Sequence, residues 1–249
     1  MAVKFNRRVM LSFLVLAIIL LSVSLLFAYQ KILEPKSWAE LSKIPPEHMK
    51  VDESKPLREQ ARVIEFAGRM FEIPIMYLDT PLDKGVKQDG LLLEVIWPDM
   101  RSIYELKDRA EYERIWRVEK RRGWILLEPA AVRPTLDVQV GNMKDSLIKF
   151  ESAGNFEGLE KYLWYRGTVT SPALRYEVYL EKGRDGYIVT YINCSRAPSA
   201  KFPTCGHKFI HKGIIYDLSY NEAVFLSDWR EQQRRAIDFM ESFAMDKGD

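Results

Sequence analysis

Residues 174–194 read LRYEVYLEKGRDGYIVTYINC, a stretch with a clear strand pattern. Apolar side chains alternate along its first half at Leu174, Tyr176, Val178 and Leu180. Arg175 and Glu177 lie between them and are expected to face solvent. The glycines at both ends of residues 183–186 indicate a tight turn, after which residues 187–194 return as a second strand. The stretch therefore predicts an antiparallel hairpin with one apolar face.

The residues that follow predict two more strands and a long helix. Residues 207–211 and 214–220 read as strands that continue the hairpin. A helix is expected over 221–244, because Ser219 and Glu222 have the spacing of a capping box. One apolar face of this helix should pack on the sheet. That face consists of Phe225, Trp229, Ala236, Met240 and Phe243.

The two cysteines of the chain, Cys194 and Cys205, lie close together in this region. In an oxidising compartment such a pair reads as a disulfide. Zinc is an alternative, because Cys205, His207 and His211 would share one face of a strand. The spacing is not that of a standard zinc finger, and structural zinc prefers closer cysteine pairs. Two free thiols are the third possibility. The disulfide is the prediction, and no metal site is predicted.

The N-terminal half of the chain predicts further strands. Residues 62–78 read as two short strands around a turn at Gly68. Pro74 places the second of them at a sheet edge or ends it early, because proline has no amide hydrogen to donate. Residues 91–97 and 124–127 each read as one more strand, stopped by a proline that follows.

The remaining segments complete a fold of the α+β class. Residues 102–120 carry mixed charges and favour a helix over a strand. Few apolar residues occur over 130–145, which indicates a boundary between two lobes, 61–130 and 145–249. The expected domain is a set of mostly antiparallel strands packed by the long C-terminal helix.

A long apolar run near the start of the chain predicts a membrane anchor. Residues 9–29 contain no charged side chain. As a helix they would extend roughly 31 Å, close to the ~30 Å hydrocarbon core of a bilayer. Basic residues in the tail 1–8 keep that tail in the cytoplasm, which puts the tether 30–60 and the domain 61–249 in the periplasm. The alternative is a cleaved signal peptide, since Ser-Val-Ser at 22–24 loosely fits a cleavage site. The prediction is a single-pass protein of a bacterial inner membrane.

Composition and motifs argue against nucleic-acid binding and against catalysis. Lys and Arg number 37 against 35 Asp and Glu, without the basic stripe that nucleic acid requires. The sequence contains no Gly-x-Ser-x-Gly elbow, no phosphate-binding glycine loop and no His-Glu-x-x-His motif. Asp79, Asp99 and Glu128 lie near strand ends, where acid–base pairs occur, but surface carboxylates are also common there. We expect a protein that is not an enzyme and has no cofactor.

The chain resembles a group of proteobacterial envelope proteins that are anchored by one helix or by a lipid. The matching segments are GRMFEIP at 68–74, WPD at 97–99 and above all the C-terminal block 194–243. Within that block the matches are Cys194, PTCGHKF at 203–209, GIIYDLSY at 213–220, LSDW at 226–229 and ESF at 241–243. Some members of this group act as immunity proteins against type VI secretion effectors.

The resemblance implies a periplasmic binding protein, an immunity protein that neutralises an envelope-acting toxin by steric occlusion. The contact would be an aromatic-centred patch with a polar rim. Trp116, Trp164, Tyr165 and Phe202 could contribute to it, but such residues are also typical of a core, so the sequence assigns no partner-binding residue. The alternative function is an accessory or scaffolding subunit of an envelope or secretion complex. An envelope hydrolase is a third possibility.

Overall fold

The computed structural model describes residue 52 and residues 54–79, 86–132, 134–145, 149–166, 174–195, 204–221 and 225–245. The predicted tail 1–8, the anchor 9–29 and most of the tether 30–60 lie outside the described residues. Among the helices that are described, none combines the length and the apolar character of a membrane span.

The described residues form two sheets and three α-helices. The strands are β1 (Ala61–Phe66), β2 (Arg69–Pro74), β3 (Lys87–Gln88), β4 (Leu91–Ile96), β5 (Arg122–Pro129), β6 (Lys149–Phe156), β7 (Leu159–Arg166), β8 (Leu174–Lys182), β9 (Ile188–Ser195), β10 (Thr204–His211) and β11 (Ile214–Asn221). The helices are α1 (Arg109–Glu113), α2 (Leu136–Asp145) and α3 (Trp229–Ser242), and a π-helical segment, Arg114–Glu119, continues α1. Short 3-10 turns occupy Leu57–Glu59, Ile75–Tyr77, Ile103–Glu105, Ala130–Val132 and Leu226–Asp228.

Eight of the strands form one antiparallel sheet in the order β4–β5–β11–β10–β9–β8–β7–β6. The other three form a small sheet, β2–β1–β3, in which only β1 and β3 run parallel. The predicted α+β fold of mostly antiparallel strands with a C-terminal helix is confirmed. Because β5 pairs with β11, strands from the two predicted lobes, 61–130 and 145–249, belong to one sheet.

The predicted hairpins are confirmed, and local chemistry explains their turns. Ala67 and Gly68 both have positive φ, 50° and 77°, which is the geometry of the type I′ turn that suits a two-residue hairpin loop. β2 ends at Pro74, as expected for a residue without an amide hydrogen. In the β8–β9 turn, the Gly183 amide donates to the Tyr187 carbonyl at 2.8 Å, and Gly186 adopts a φ of 84°.

The main core lies between the large sheet, the small sheet and α3. Helix α3 contributes Trp229, Ala236 and Met240, which are buried among the apolar side chains of the strands. Phe225 is buried just before the helix, and Phe243 packs against the core just after it. The predicted apolar face of this helix is therefore confirmed.

A second cluster covers the opposite face of the sheet. Val178 and Leu180 alternate with Tyr179, which belongs to the main core, so they point to the other side. There they pack with Trp164 and with Val140 of α2. The lobe boundary predicted from the sequence falls on this helix, whose few apolar residues are enough to cover one end of the sheet.

Three further sequence expectations are corrected by the structure. The long helix begins at Trp229 rather than at 221, because β11 continues to Asn221, which pairs with Thr204 of β10. Ser219 accordingly lies within a strand and does not cap the helix. Glu177 is buried rather than exposed, since both faces of the sheet are covered. Its charge is balanced by Lys161 at 2.9 Å and Arg175 at 3.0 Å, and the Tyr179 hydroxyl donates to it at 2.8 Å.

The predicted disulfide joins Cys194 of β9 to Cys205 of β10. The two residues are direct partners in the antiparallel register, with their Cα atoms 4.1 Å apart. Side chains of such closely spaced pairs point the same way, which lets the sulfurs meet. Both cysteines are completely buried on the core face. The crosslink therefore joins β9 to β10, the two central strands of the large sheet, beneath α3.

Gly123 has no side chain, and the space this leaves on β5, which we call the notch, is occupied by the indole of Trp97. The Trp97 indole lies over Gly123, and its Nε1 donates to the Ser219 carbonyl oxygen at 3.2 Å. A Cβ atom at residue 123 would lie 2.1 Å from that same oxygen and 2.2 Å from the Trp97 Nε1. The absence of a side chain on β5 thus allows Trp97 to bridge from β4 to β11.

An ion pair connects the start of the domain to α3. Arg69 of β2 donates to both carboxylate oxygens of Glu241, at 2.8 and 2.9 Å. These hydrogen bonds from Arg69 lower the pKa of Glu241 to about 2, although burial acts in the opposite direction. A folded-state pKa below the unfolded one stabilises the fold above the unfolded pKa, and that stabilisation disappears as the pH falls through the folded pKa.

Glu241→Gln is therefore expected to make stability depend less on pH in acid. Between about pH 5 and pH 2, the free energy of unfolding of the wild type, measured with urea, should fall by about 2 kcal/mol more than that of the variant. Glu59→Gln makes the same chemical change at an exposed carboxylate and serves as the control. Parallel wild-type and Glu241→Gln curves over this pH range would contradict the assignment.

Candidate functional site

A short helical layer positions the candidate site on the sheet face opposite α3. The Asp108 carboxylate accepts from the Glu111 amide at 2.8 Å and caps α1. Helix α1 then widens into the π-helical segment Arg114–Glu119, a rare conformation that is frequent at functional sites. Ile115 of this segment is buried, whereas Trp116 and Val118 are 40% and 75% exposed. The segment therefore anchors itself with one side chain and presents two others to solvent.

Four side chains form a cluster that we call the Trp116 stack: Tyr112, Trp116, Arg122 and Trp124. The rings of Tyr112 and Trp116 are parallel within 7°, with centroids 6.3 Å apart. The guanidinium carbon of Arg122 lies 4.5 Å from the Trp116 ring centroid and 5.3 Å from that of Trp124. Cation–π contacts of this kind are worth about 0.5–1 kcal/mol at exposed sites. They hold the exposed Trp116 ring in place.

Arg122 is held in place by the buried carboxylate of Glu94. Its Nε donates to Glu94 of β4, and its Nη1 donates to the Tyr112 hydroxyl at 3.4 Å. Burial raises the pKa of Glu94, and the nearby Arg122 opposes that rise, while Asp79 adds to it. The remaining nitrogen, Nη2, has no partner within the described part of the chain. Arg122 is thus oriented, and the two hydrogens of Nη2 remain available to donate.

A cavity of about 270 Å³ opens beside the stack. It is lined by Trp116, Lys120, Arg122, Trp124, Thr204, Ser219, Tyr220 and Asn221. Register explains how these segments meet, because Thr204 is paired with Asn221, and Ser219 with Trp124. Lys120 ends the π-helical segment in a left-handed conformation, with a φ of 56°, and so turns the chain back into β5. The lining combines two indole rings and two cations with hydroxyl and amide groups, and it includes no carboxylate.

A second polar cluster lies inside the core and serves the fold. The Gln233 amide nitrogen can only donate, and it lies 3.0 Å from both Thr190 Oγ1 and His207 Nε2. Since Nε2 accepts, the proton of a neutral His207 is on Nδ1, which donates to the Tyr220 hydroxyl oxygen at 2.9 Å. Burial lowers the pKa of His207 to about 3. This histidine is completely buried and neutral, so it has no contact with an external substrate.

The zinc alternative is not supported, because the sulfur of Cys205 is bonded to Cys194. Across the described ranges, no group of three or more His, Cys, Asp or Glu side chains could hold a metal ion. Of the carboxylates considered for acid–base chemistry, Asp99 is ion-paired with Arg101 at 3.1 Å and with Arg121 at 2.9 Å. These pairs tie the loop after β4 to the start of β5.

The aromatic residues considered for a partner-binding patch differ in their exposure to solvent. Trp116 is exposed at the site, whereas Trp164 is buried in the second cluster. Tyr165 is half-buried on β7, and Phe202 lies outside the described residues. The sequence pattern does not predict the contact of Trp116 with Arg122 and Trp124, although the three lie within nine positions of one another. The signal was present as alternation of Arg122 and Trp124 on one strand face.

No protein-family model matches the chain, and no curated protein sequence matches it. Among solved structures, the chain is similar to the iron-regulated outer membrane lipoprotein FrpD of Neisseria meningitidis. The TM-score is 0.45 at 13% identity, over 75% of this chain and 93% of the FrpD chain. A likeness of this size carries no argument about function. The fold and the site define an α+β domain with an aromatic, cation-lined cavity on one sheet face.

Proposed function

We propose that the chain is a binding protein tethered to the inner membrane, with its domain in the periplasm, and that the Trp116 stack contacts a protein partner. The partner class is an envelope-acting toxin, which the chain neutralises as an immunity protein by steric occlusion. The observation that carries the proposal is a solvent-exposed Trp116 that is stacked with Tyr112 and contacted by the Arg122 guanidinium. The anchor and the immunity role rest on the sequence.

The composition of the stack is that of an interaction hot spot. Trp, Tyr and Arg are the residues most enriched among those that dominate binding energy. A side chain that is already ordered loses little conformational entropy when a partner covers it, which favours binding. Val118 extends the apolar surface, and the neighbouring Arg117–Glu113 ion pair supplies a polar rim.

Binding is favoured over catalysis by the chemistry of the lining. None of the eight residues around the cavity is a His, Asp, Glu or Cys, the groups that usually act as acids, bases or activated nucleophiles. The disulfide supports a compartment outside the cytoplasm, where such bonds persist.

Photo-crosslinking tests the proposed contact. We expect Trp116→p-benzoylphenylalanine in the full anchored chain to give an adduct with one partner protein. The matched control is Tyr187→p-benzoylphenylalanine, because Tyr187 is 63% exposed and lies in the β8–β9 turn, outside the Trp116 stack. Equal labelling from both positions would overturn the stack as the contact. An adduct with subunits of a stable membrane assembly would instead favour the accessory-subunit function.

A survival assay tests neutralisation. The product of the adjacent gene, directed to the periplasm, should kill cells, and the chain should restore growth. Trp116→Ala should weaken partner binding about tenfold, which corresponds to about 1.4 kcal/mol, and should therefore reduce the surviving fraction. Tyr187→Ala should protect like the wild type. Equal killing with and without the chain would show that it is not an immunity protein against that product.

A further inference from the structure

The cavity beside the Trp116 stack has a size that fits one residue of a partner. A cavity of about 150 Å³ accommodates a benzene molecule. At about 270 Å³, this cavity has room for one aromatic or large aliphatic side chain together with the few polar atoms attached to it. The other residues of a longer segment would remain outside it.

The walls of the cavity select an apolar group. Trp116 and Trp124 supply indole faces, which bind rings and aliphatic chains through dispersion and desolvation. Trp116 is already exposed in the absence of a partner, so it gains burial when the cavity is filled.

The charges at the cavity select an anion next to that apolar group. Lys120 and Arg122 both line it, and no lining residue is acidic. The Arg122 guanidinium is held by Glu94 and Tyr112, which leaves its Nη2 as a fixed donor. A preoriented guanidinium beside a second cation is suited to a carboxylate, which accepts two or more charge-assisted hydrogen bonds.

We propose that this cavity binds the C-terminal residue of the partner polypeptide, with its apolar side chain between the indoles and its free carboxylate toward Lys120 and Arg122. The inference rests on the proposed function, in that it takes the ligand to be a protein. The cavity has room for one residue. The C-terminal residue of a polypeptide carries both an apolar side chain and a free carboxylate, so it fits both the indoles and the cations. Capture of a terminal carboxylate is a recurring mode of peptide recognition.

Short peptides test this inference on the full chain in mild detergent, by calorimetric titration. Acetyl-Gly-Gly-Phe with a free carboxylate should bind at least tenfold more tightly than the same peptide with a C-terminal amide. Lys120→Gln should weaken binding of the acid peptide by about threefold to tenfold and leave the affinity for the amide peptide unchanged. The matched control is Lys212→Gln, because Lys212 is a second lysine with positive φ and lies at the β10–β11 turn, away from the cavity.

Each other outcome overturns a defined part of the inference. Equal binding of acid and amide would remove the anion site. A peptide with internal Asp-Phe and blocked ends that bound as tightly would replace the chain end by an internal acidic segment. Equal affinity for free N-acetylphenylalanine would indicate a small metabolite. A crosslink from position 116 without peptide binding would overturn this inference but not the proposed function. Peptide binding without a crosslink would overturn the stack as the partner contact and leave the cavity as a binding site for a terminal carboxylate.

Discussion

Gly123→Ala is expected to lower the free energy of unfolding by about 3 kcal/mol, the upper range for overpacking a core. The added Cβ atom would lie 2.1 Å from the Ser219 carbonyl oxygen and 2.2 Å from the Trp97 Nε1. One of these contacts is with backbone of the neighbouring strand, and the other is with an indole that is completely buried. Neither group can move without loss of pairing or packing. Urea unfolding of the variant measures the effect.

Gly141→Ala is the matched control, because no atom lies within 4 Å of the Cβ position at that glycine. Gly141 lies in the interior of α2, where alanine should stabilise the protein by about 0.5–1 kcal/mol. The same substitution is thus expected to act in opposite directions at two glycines. A Gly123→Ala protein as stable as the wild type would show that Trp97 does not occupy the notch.

Removal of the disulfide is the second change with a large expected effect. Cys194→Ala combined with Cys205→Ala should reduce the free energy of unfolding by about 3 kcal/mol, the chain-entropy value for a loop of this length. The two cysteines are 11 positions apart in sequence and completely buried. Unfolding by urea with and without reductant is the measurement.

Reduction of the wild type provides the control for this experiment. Because the sulfurs are buried beneath α3, a thiol reductant should not cleave the bond in the folded protein. The reduced wild type, once unfolded, should match the double variant within about 1 kcal/mol. A double variant that unfolds at the same urea concentration as the oxidised wild type would contradict the proposed contribution.

Much of the fold could be predicted from sequence, since several strands bury one face against a core. The alternation at Ile214–Asn221 reflects that burial directly. In Leu174–Lys182 the sequence alternates, but both faces are buried from Glu177 to Leu180. The face of α3 could be predicted for the same reason, because Trp229, Ala236 and Met240 recur at helical spacing.

The elements that escaped prediction have weak patterns for physical reasons. β6 (Lys149–Phe156) is an edge strand, and most of its residues are exposed, so its sequence shows no alternation. Helix α2 buries only Leu136 and Val140, too few to give a clear helical period. Glu177 was expected outside because it is charged, and its burial depends on Lys161, a partner on another strand.

The candidate site was only partly accessible to sequence reasoning. Trp116 stood out as an aromatic residue in a segment without clear periodicity. Its contact with Arg122 depends on the π-helical turn and on the left-handed Lys120, neither of which has a reliable sequence signature. The contribution of Thr204 and Asn221 depends on strand register, which pairs residues distant along the chain.

The pairing of β2 with the segment after α3 has a consequence for how the protein is made. Phe71 forms a bridge with Ala244, and the amide of Met245 donates to the Met70 carbonyl at 2.9 Å. The Arg69–Glu241 contact spans 172 positions. A growing polypeptide therefore cannot close its first hairpin onto the core until residue 245 has emerged from the ribosome. We expect the domain to fold slowly and only after residue 245 has been synthesised, with its apolar strands dependent on chaperones until then.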